Sequence, residues 1–236
     1  MITVVIPTSP MIIHPSTAII DKTIESVKQY LPDSRIMITF DGVRGELEHH
    51  RKNYDEYKKR MLEKYGEEIN LVMFTNHEHQ SGMLEGILDF IKTDQIFYLE
   101  HDWQLTREIP FKEMSETIRQ GTADLIRLLY STELPPYHMY LMIDQKPQLV
   151  NSIPLVRTFQ WSQNPHLAST GFYKGIFKKY FDIGDRVFIE EKLAHPIVQE
   201  YRENGWGEFK TFIYCPTGNT QRCVHLDARK GENQSF

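Results

Sequence analysis

Short apolar runs alternate with amphipathic stretches along the first hundred residues. Ile2 to Ile6 is a β-branched run ended by Pro7-Thr8-Ser9-Pro10, which predicts a buried first strand entering a loop. Ser16 stands as the N-cap of a helix reaching about Tyr30, with Ile20, Ile24, Val27 and Tyr30/Leu31 on one face. Pro32-Asp33 stops it. Arg35 to Phe40 reads as a second strand and ends in Asp41-Gly42. Glu46 to about Tyr65 reads as a long, charged helix whose inner stripe is Leu47, Tyr54, Met61 and Tyr65. Ile69 to Phe74 is the third strand, opening into the polar loop Thr75 to Gly82 before a short helix from Met83 to Ile91. Ile96 to Leu99 is unbroken apolar sequence, the pattern of a strand buried on both faces.

The second half is less regular. Helix is expected from Phe111 to about Gln120 and from Glu190 to Asn204, where Pro196 is a kink or a start and Asn204-Gly205 a stop. Strands are expected at Asp124 to Tyr130 and Phe209 to Tyr214, and an extended piece at Pro154 to Trp161. Glu133 to Val150 is rich in turn residues and reads as a hairpin excursion, while Asn164-Pro165-His166 reads as a turn.

Strand and helix thus alternate three times before a fourth strand, which predicts an α/β fold with a mostly parallel central sheet and helices on both faces. Right-handed crossovers then place the ends of those strands on one edge. Thr8, Asp41, His77 to Gly82 and Glu100 to Asp102 are expected at one rim, where open α/β sheets bind their ligands. No repeat, low-complexity stretch or linker divides the chain, so one domain over 1–236 is expected.

Composition narrows the function. The 236 residues allow a sizeable core. A formal charge of −5, with no local Lys/Arg cluster, leaves no electrostatic footprint for nucleic acid. Cys215 and Cys223 form no CxxC pair, which argues against a disulfide framework or a cysteine zinc site. Met1-Ile2-Thr3 runs straight into the first strand, leaving no room for a signal peptide, and no apolar stretch approaches membrane-spanning length. A cytoplasmic, soluble protein is expected.

The candidate chemistry begins at Glu100-His101-Asp102, where the fourth strand meets its loop. Carboxylates at i and i+2 on extended backbone point the same way. Two of them beside an imidazole suit a hard divalent cation shared with phosphate oxygens. An acidic, solvated turn is the other reading of the same three residues.

Val-Val-Ile-Pro-Thr at 4–8, Ile-Thr-Phe-Asp-Gly at 38–42, Ser81-Gly82 before a short helix, and Leu-Glu-His-Asp at 99–102 together resemble the GT-A type nucleotide-sugar glycosyltransferases, in their compact family-2-like form. The likeness covers the first hundred residues and the rest in outline. It implies a single Rossmann-like GT-A domain with a donor half at 1–103 and an acceptor half and tail at 104–236. It also implies metal-dependent transfer of a sugar, with inversion, from a UDP or GDP donor to a hydroxyl acceptor such as a saccharide.

Residue by residue, the resemblance implies Thr8 and nearby backbone in the base pocket, Asp41 on the base or ribose, and Ser81-Gly82 close to the donor. Asp102 would hold Mn2+ or Mg2+ bridging the diphosphate. Glu100 is one methylene longer than the family's usual aspartate, so it touches the metal directly or through water, or holds a ribose hydroxyl instead. His225, in Cys-Val-His-Leu-Asp, matches a late histidine that returns to the metal, with Arg222, Arg229 and Lys230 near enough in sequence to neutralise phosphate. A surface histidine on a solvated tail is the other reading.

Inversion needs a carboxylate base for the acceptor hydroxyl. In the resembling family it lies near the start of a helix in the second half, which points to Glu191 first and Glu190 second; both also read as an acidic first turn complementing a helix dipole. Trp103 and Trp161 are candidates to stack on an acceptor sugar and equally read as core aromatics, the reading preferred for Trp206. Asn164-Pro165-His166 with Ser169-Thr170 reads as an acceptor wall or a plain turn.

Two other functions fit the same residues. A metallohydrolase would use the His77/His79 loop, His101 and His225 around zinc or manganese. A non-catalytic sugar-binding module would carry the Glu-His-Asp variation as a mark of lost activity. A triphosphate-binding loop is absent after the first strand, which holds neither a GxGxxG nor a P-loop.

Overall fold

The structure, a computed structural model, describes residues 1–218 and 221–226; Arg229 and Lys230 lie outside them. The first half runs β1 (Thr3–Thr8), α1 (Ala18–Tyr30), β2 (Arg35–Phe40), α2 (Arg51–Tyr65), β3 (Asn70–Met73), α3 (His79–Leu88) and β4 (Gln95–Tyr98). The second half runs β5 (Trp103–Leu105), α4 (Phe111–Arg119), β6 (Leu125–Leu128), β7 (Gln148–Val150), β8 (Ile153–Arg157), β9 (His166–Ser169), α5 (Thr170–Tyr180), α6 (Ile189–Asn204), β10 (Thr211–Tyr214) and β11 (Cys223–His225).

Among the described residues nine strands form one sheet in the order β3-β2-β1-β4-β9-β6-β10-β8-β7, and β5 pairs with β11 in a separate ribbon. β1 is parallel to β2 and β4, β2 to β3, and β6 to β10, while β9 and β8 run antiparallel to their neighbours. The expected mostly parallel sheet is therefore found, with β9 inserted antiparallel at its centre.

The period-2 alternation of each strand assigns its residues to two cores. Val4, Ile6, Ile38, Phe40, Phe97 and Leu99 pack toward α1, α2 and α4. Val5, Met37, Ile96 and Tyr98 pack toward α3, α5 and α6. Helices cover both faces because both faces of the central strands are apolar. Each fully buried side chain of this size contributes about 1.5–3 kcal/mol, so the central strands are the least movable part of the molecule.

Element boundaries differ from expectation where local polar bonds decide them. α1 starts after Thr17 rather than Ser16, because the Thr17 hydroxyl donates to Asp21 (2.9 Å) while Ser16 Oγ accepts the Ala18 N–H (3.3 Å) one residue outside. The expected helix from Glu46 is 3-10 over Gly45–His50 before α2, and Tyr57 joins the inner stripe. α3 begins at His79, four residues before the expected Met83, so Ser81 and Gly82 are helical. The reading of 164–166 as a turn stops one residue too late, since His166 opens β9. No helix among the described residues is long and apolar enough to cross a membrane.

Candidate active site

The carboxyl ends of β1, β2 and β4, the loop after β3, and β11 open onto one cleft of about 590 Å3. Its walls include Thr8, Asp41, His77, His79, Gln80, Glu100, Asp102, Phe188 and His225. Asp41 and Asp102 thus share one cavity, as the crossover rule required.

The acidic end is built by a turn rather than an extended segment. The Trp103 N–H closes it on the Glu100 carbonyl (3.1 Å), and α1 fastens it from below: Thr23 Oγ1 donates to the His101 carbonyl (2.7 Å), and Ser26 Oγ accepts the Leu105 N–H (3.0 Å). β11 then pairs with β5, His225 opposite Trp103, and the Leu226 N–H donates to the Asp102 carbonyl (2.7 Å). That pairing carries His225 Nε2 to 3.1 Å from Asp102 Oδ2.

Burial works against ionisation of Asp102, but the His101 and His225 imidazoles outweigh it and hold the carboxyl below its usual range. Glu100 behaves oppositely: burial, then the neighbouring Asp102 charge, push it up to about 7. Two carboxylates beside one imidazole at a cleft wall are a donor set suited to a hard divalent ion. Among the described residues no group of three His, Cys, Asp or Glu side chains is spaced to close around an ion by itself. Asp102 and His225 could therefore hold one only with ligand or water oxygens completing the shell, an arrangement normal for phosphate-bound magnesium.

At the other end Asp41, 2% exposed, fastens β2 to the loop after β3. Its Oδ1 accepts N–H groups from Gly42 (2.8 Å) and Glu78 (2.7 Å), and its Oδ2 accepts the His79 N–H (3.2 Å). His77 Nδ1 lies 2.8 Å from the same Oδ2, with its ring turned off the ideal hydrogen-bond line. His79 adopts φ 58, a left-handed conformation uncommon outside glycine, which Asp41 stabilises by taking its N–H. Gly42 is required by close approach: a Cβ there would stand 2.2 Å from the Asn76 carbonyl carbon. Thr8 is buried beside this end, its Oγ1 3.3 Å from the Tyr54 hydroxyl.

Several expected site residues lie elsewhere. Ser81 and Gly82 do not line the cleft. Ser81 Oγ donates to the Asp185 carbonyl (2.9 Å) and accepts the Val187 N–H (3.0 Å), and the Gly82 Cα faces Glu78 and Asp185. Their helical phase points them away from the cleft. Trp103 (6% exposed) packs edge-on to His225 and Tyr130, since β5 turns Trp103 and Leu105 inward together. Trp161 (2% exposed) is enclosed by His166, Phe172 and Tyr173. Neither tryptophan offers a face to a sugar. Arg222 falls outside the cleft wall, its guanidinium over Tyr214, because β-alternation sends it opposite to His225.

Glu191 is exposed, about 160° around α6 from the centre of the buried Ile189-Leu193-Ile197 stripe. Glu190 is the acidic residue turned inward: its Oε2 accepts the Gln163 N–H (2.9 Å), and its charge is felt by both Glu100 and buried Arg127. His101 has both ring nitrogens engaged, Nδ1 3.0 Å from the Pro7 carbonyl and Nε2 2.7 Å from Met11 Sδ. Among the described residues the histidines join no three-ligand group of the kind a zinc hydrolase needs. Sequence reasoning put Gln80 in the 77–82 rim stretch without a role and missed Gln163; together they connect Glu100 to Glu190.

A parallel-dominated sheet between two helical layers, with carboxylates and an imidazole at the carboxyl edge of its first four strands, is the GT-A fold. Among solved structures, S. aureus TarS 1-349 superposes with a TM-score of 0.56 at 12% identity, over 95% of this chain and 60% of that one. A longer S. aureus TarS structure gives 0.52 at 10% identity, over 95% and 36%. GalNAc-T7 with UDP, GalNAc and Mn2+ gives 0.58 at 12% identity, over 99% and 45%. This chain spans between 36% and 60% of the length of these structures. No protein-family model and no curated protein sequence matches it. At such identities the likeness establishes the fold, and the GT-A architecture implied by the sequence motifs is the one observed.

Proposed function

We propose that the protein is a metal-dependent glycosyltransferase that moves a sugar from a UDP or GDP donor to a hydroxyl acceptor, such as a saccharide, with inversion. The observation that carries this reading is the Asp102–His225 pair, brought together from a β4 turn and a distant strand in the cleft that also holds Thr8 and Asp41. The GT-A fold and the relative holding UDP and Mn2+ support it.

In this reading the nucleoside occupies the end of the cleft walled by Thr8, Asp41 and His77. Asp41 acts there chiefly by shaping the wall, because its oxygens already accept three backbone N–H groups. The diphosphate lies toward Asp102 and His225, which would hold Mn2+ or Mg2+ with Glu100 behind them. When bound, the cation offsets charge on the departing nucleoside diphosphate. Glu190 takes the proton from the acceptor hydroxyl as that oxygen attacks the anomeric carbon and the bond to the diphosphate breaks. Residues 1–103 supply most of the donor side, and 104–236 supply the base.

A thermal-shift panel of UDP and GDP sugars, with and without manganese, tests this. Ligand at 100 times its Kd adds about 2.7 kcal/mol. For a chain of this size that raises Tm by roughly 5–10 °C, and the shift should require manganese. Metal binding without any nucleotide response would contradict the reading.

A further inference from the structure

Two carboxylates, Glu100 on the cleft wall at the end of β4 and Glu190 at the start of α6 behind that wall, come from different layers and do not touch. Two glutamines bridge them. Gln80, in the first turn of α3 and on the cleft wall, donates from Nε2 to Glu100 Oε1. Gln163, in the segment before β9, donates from Nε2 to Gln80 Oε1 (2.8 Å), and its backbone N–H donates to Glu190 Oε2 (2.9 Å). When Glu100 is ionised its oxygens only accept, so Gln80 presents its NH2 to Glu100 and its carbonyl to Gln163. Among the described residues the buried Gln163 carbonyl oxygen has no hydrogen-bond partner.

We propose that Gln80 and Gln163 are positioning residues that hold the Glu190 carboxylate at a fixed offset from the Glu100–Asp102 pair, and so align base and leaving group across the two halves of the site. This rests on the glycosyltransferase reading above. Neither glutamine takes or gives a proton; the relay sets geometry. The Gln80 amide is held at both ends, and Gln163 is held through its Nε2 and its backbone N–H.

The test compares the wild-type protein with Gln80→Met, Gln163→Met and the double variant, each near-isosteric and unable to make the side-chain bonds. The probes are UDP-glucose, UDP-N-acetylglucosamine and GDP-mannose with manganese, scored by nucleotide release, alongside UDP and GDP affinity and Tm. A misplacement near 1 Å costs about 100-fold. kcat should therefore fall roughly 10- to 100-fold in each single variant, with nucleotide affinity within twofold and Tm within a few degrees. The double variant should lose no more than the worse single one, since both cut the same relay. The relay is overturned if kcat stays within twofold, if losses multiply in the double variant, or if kcat and affinity fall together with Tm. A raised KM at unchanged kcat would make Gln80 a ligand contact and also overturn it. A wild-type protein that neither binds nor turns over any probe overturns the functional reading, and the relay's role with it.

Discussion

Replacing Glu190 by Gln separates the two adjacent acids at the start of α6. The amide keeps an oxygen where Oε2 now accepts the Gln163 N–H at 2.9 Å, so the local fold should persist. Turning a charge-assisted hydrogen bond into a neutral one costs about 1 kcal/mol. Part of the field that helps keep buried Arg127 protonated is lost as well. What the amide cannot do is accept a proton at pH 7. A general base contributes about 10²- to 10⁴-fold, which is about 3–5 kcal/mol of barrier at 1.36 kcal/mol per tenfold. Glu191→Gln is the control, since that side chain is exposed on the opposite flank of the helix. The assay is nucleotide release under saturating donor, with donor affinity measured separately by calorimetry. Glu190→Gln should lose at least 100-fold in kcat at nearly constant affinity, and Glu191→Gln should stay within twofold. Equal losses in both variants, or a larger one at Glu191, would refute the assignment.

Ser81→Ala removes two buried hydrogen bonds to the 185–187 backbone, so chemical denaturation should register a loss of about 2 kcal/mol while nucleotide affinity is unchanged. Trp161→Phe should cost about 1–2 kcal/mol by leaving a void among His166, Phe172 and Tyr173, with turnover within twofold; a selective loss of acceptor affinity would restore it as a sugar platform. His166 is buried and its imidazole is held down to about 4, by burial first, against 6.5 for the free group. The unfolded chain therefore binds more protons between those values, and stability should fall as pH drops from 6.5 toward 4, by on the order of 3 kcal/mol for this group. Buried His14, held down to about 3, adds a decline of the same sign, so melting curves across that range should fall and His166→Gln should make the fall shallower.

The legibility of the fold follows burial. β2 was readable to the residue and β4 to within one, because strands covered on both faces are written as unbroken apolar runs. β9 was not, since His166-Leu167-Ala168-Ser169 carries no such run and owes its place to pairing with β4 and β6, both remote in sequence. β11 is three residues long, and only its ladder with β5 makes it a strand. That ladder is also what turns the tail histidine toward Asp102, so no local pattern could separate a site residue from a surface one.

The cleft was legible at the strand ends and obscure elsewhere: topology placed Thr8, Asp41, Glu100 and Asp102 at one rim, and all four line it. Helical phase was the unused signal at 190–191: one residue moves a side chain by about 100°, and the Ile189-Leu193-Ile197 stripe puts Glu191 outside. The same counting along β5 buries Trp103 with Leu105, and along β11 separates Arg222 from His225. Gln163 had no signal at all, and Gln80 only its place in the 77–82 stretch, because a bridging amide obeys no period.

The central claim is that one buried carboxylate, steadied by His225, makes the cleft a nucleoside diphosphate site in the presence of a divalent ion. Calorimetric titration of UDP and GDP into wild-type and Asp102→Asn protein, with manganese and with a chelator, measures it directly. The wild type should bind one of the two nucleotides at least tenfold more tightly with manganese, and Asp102→Asn should lose that gain while melting within a few degrees of wild type. Affinity that is the same with metal, with chelator and in the variant would contradict the account.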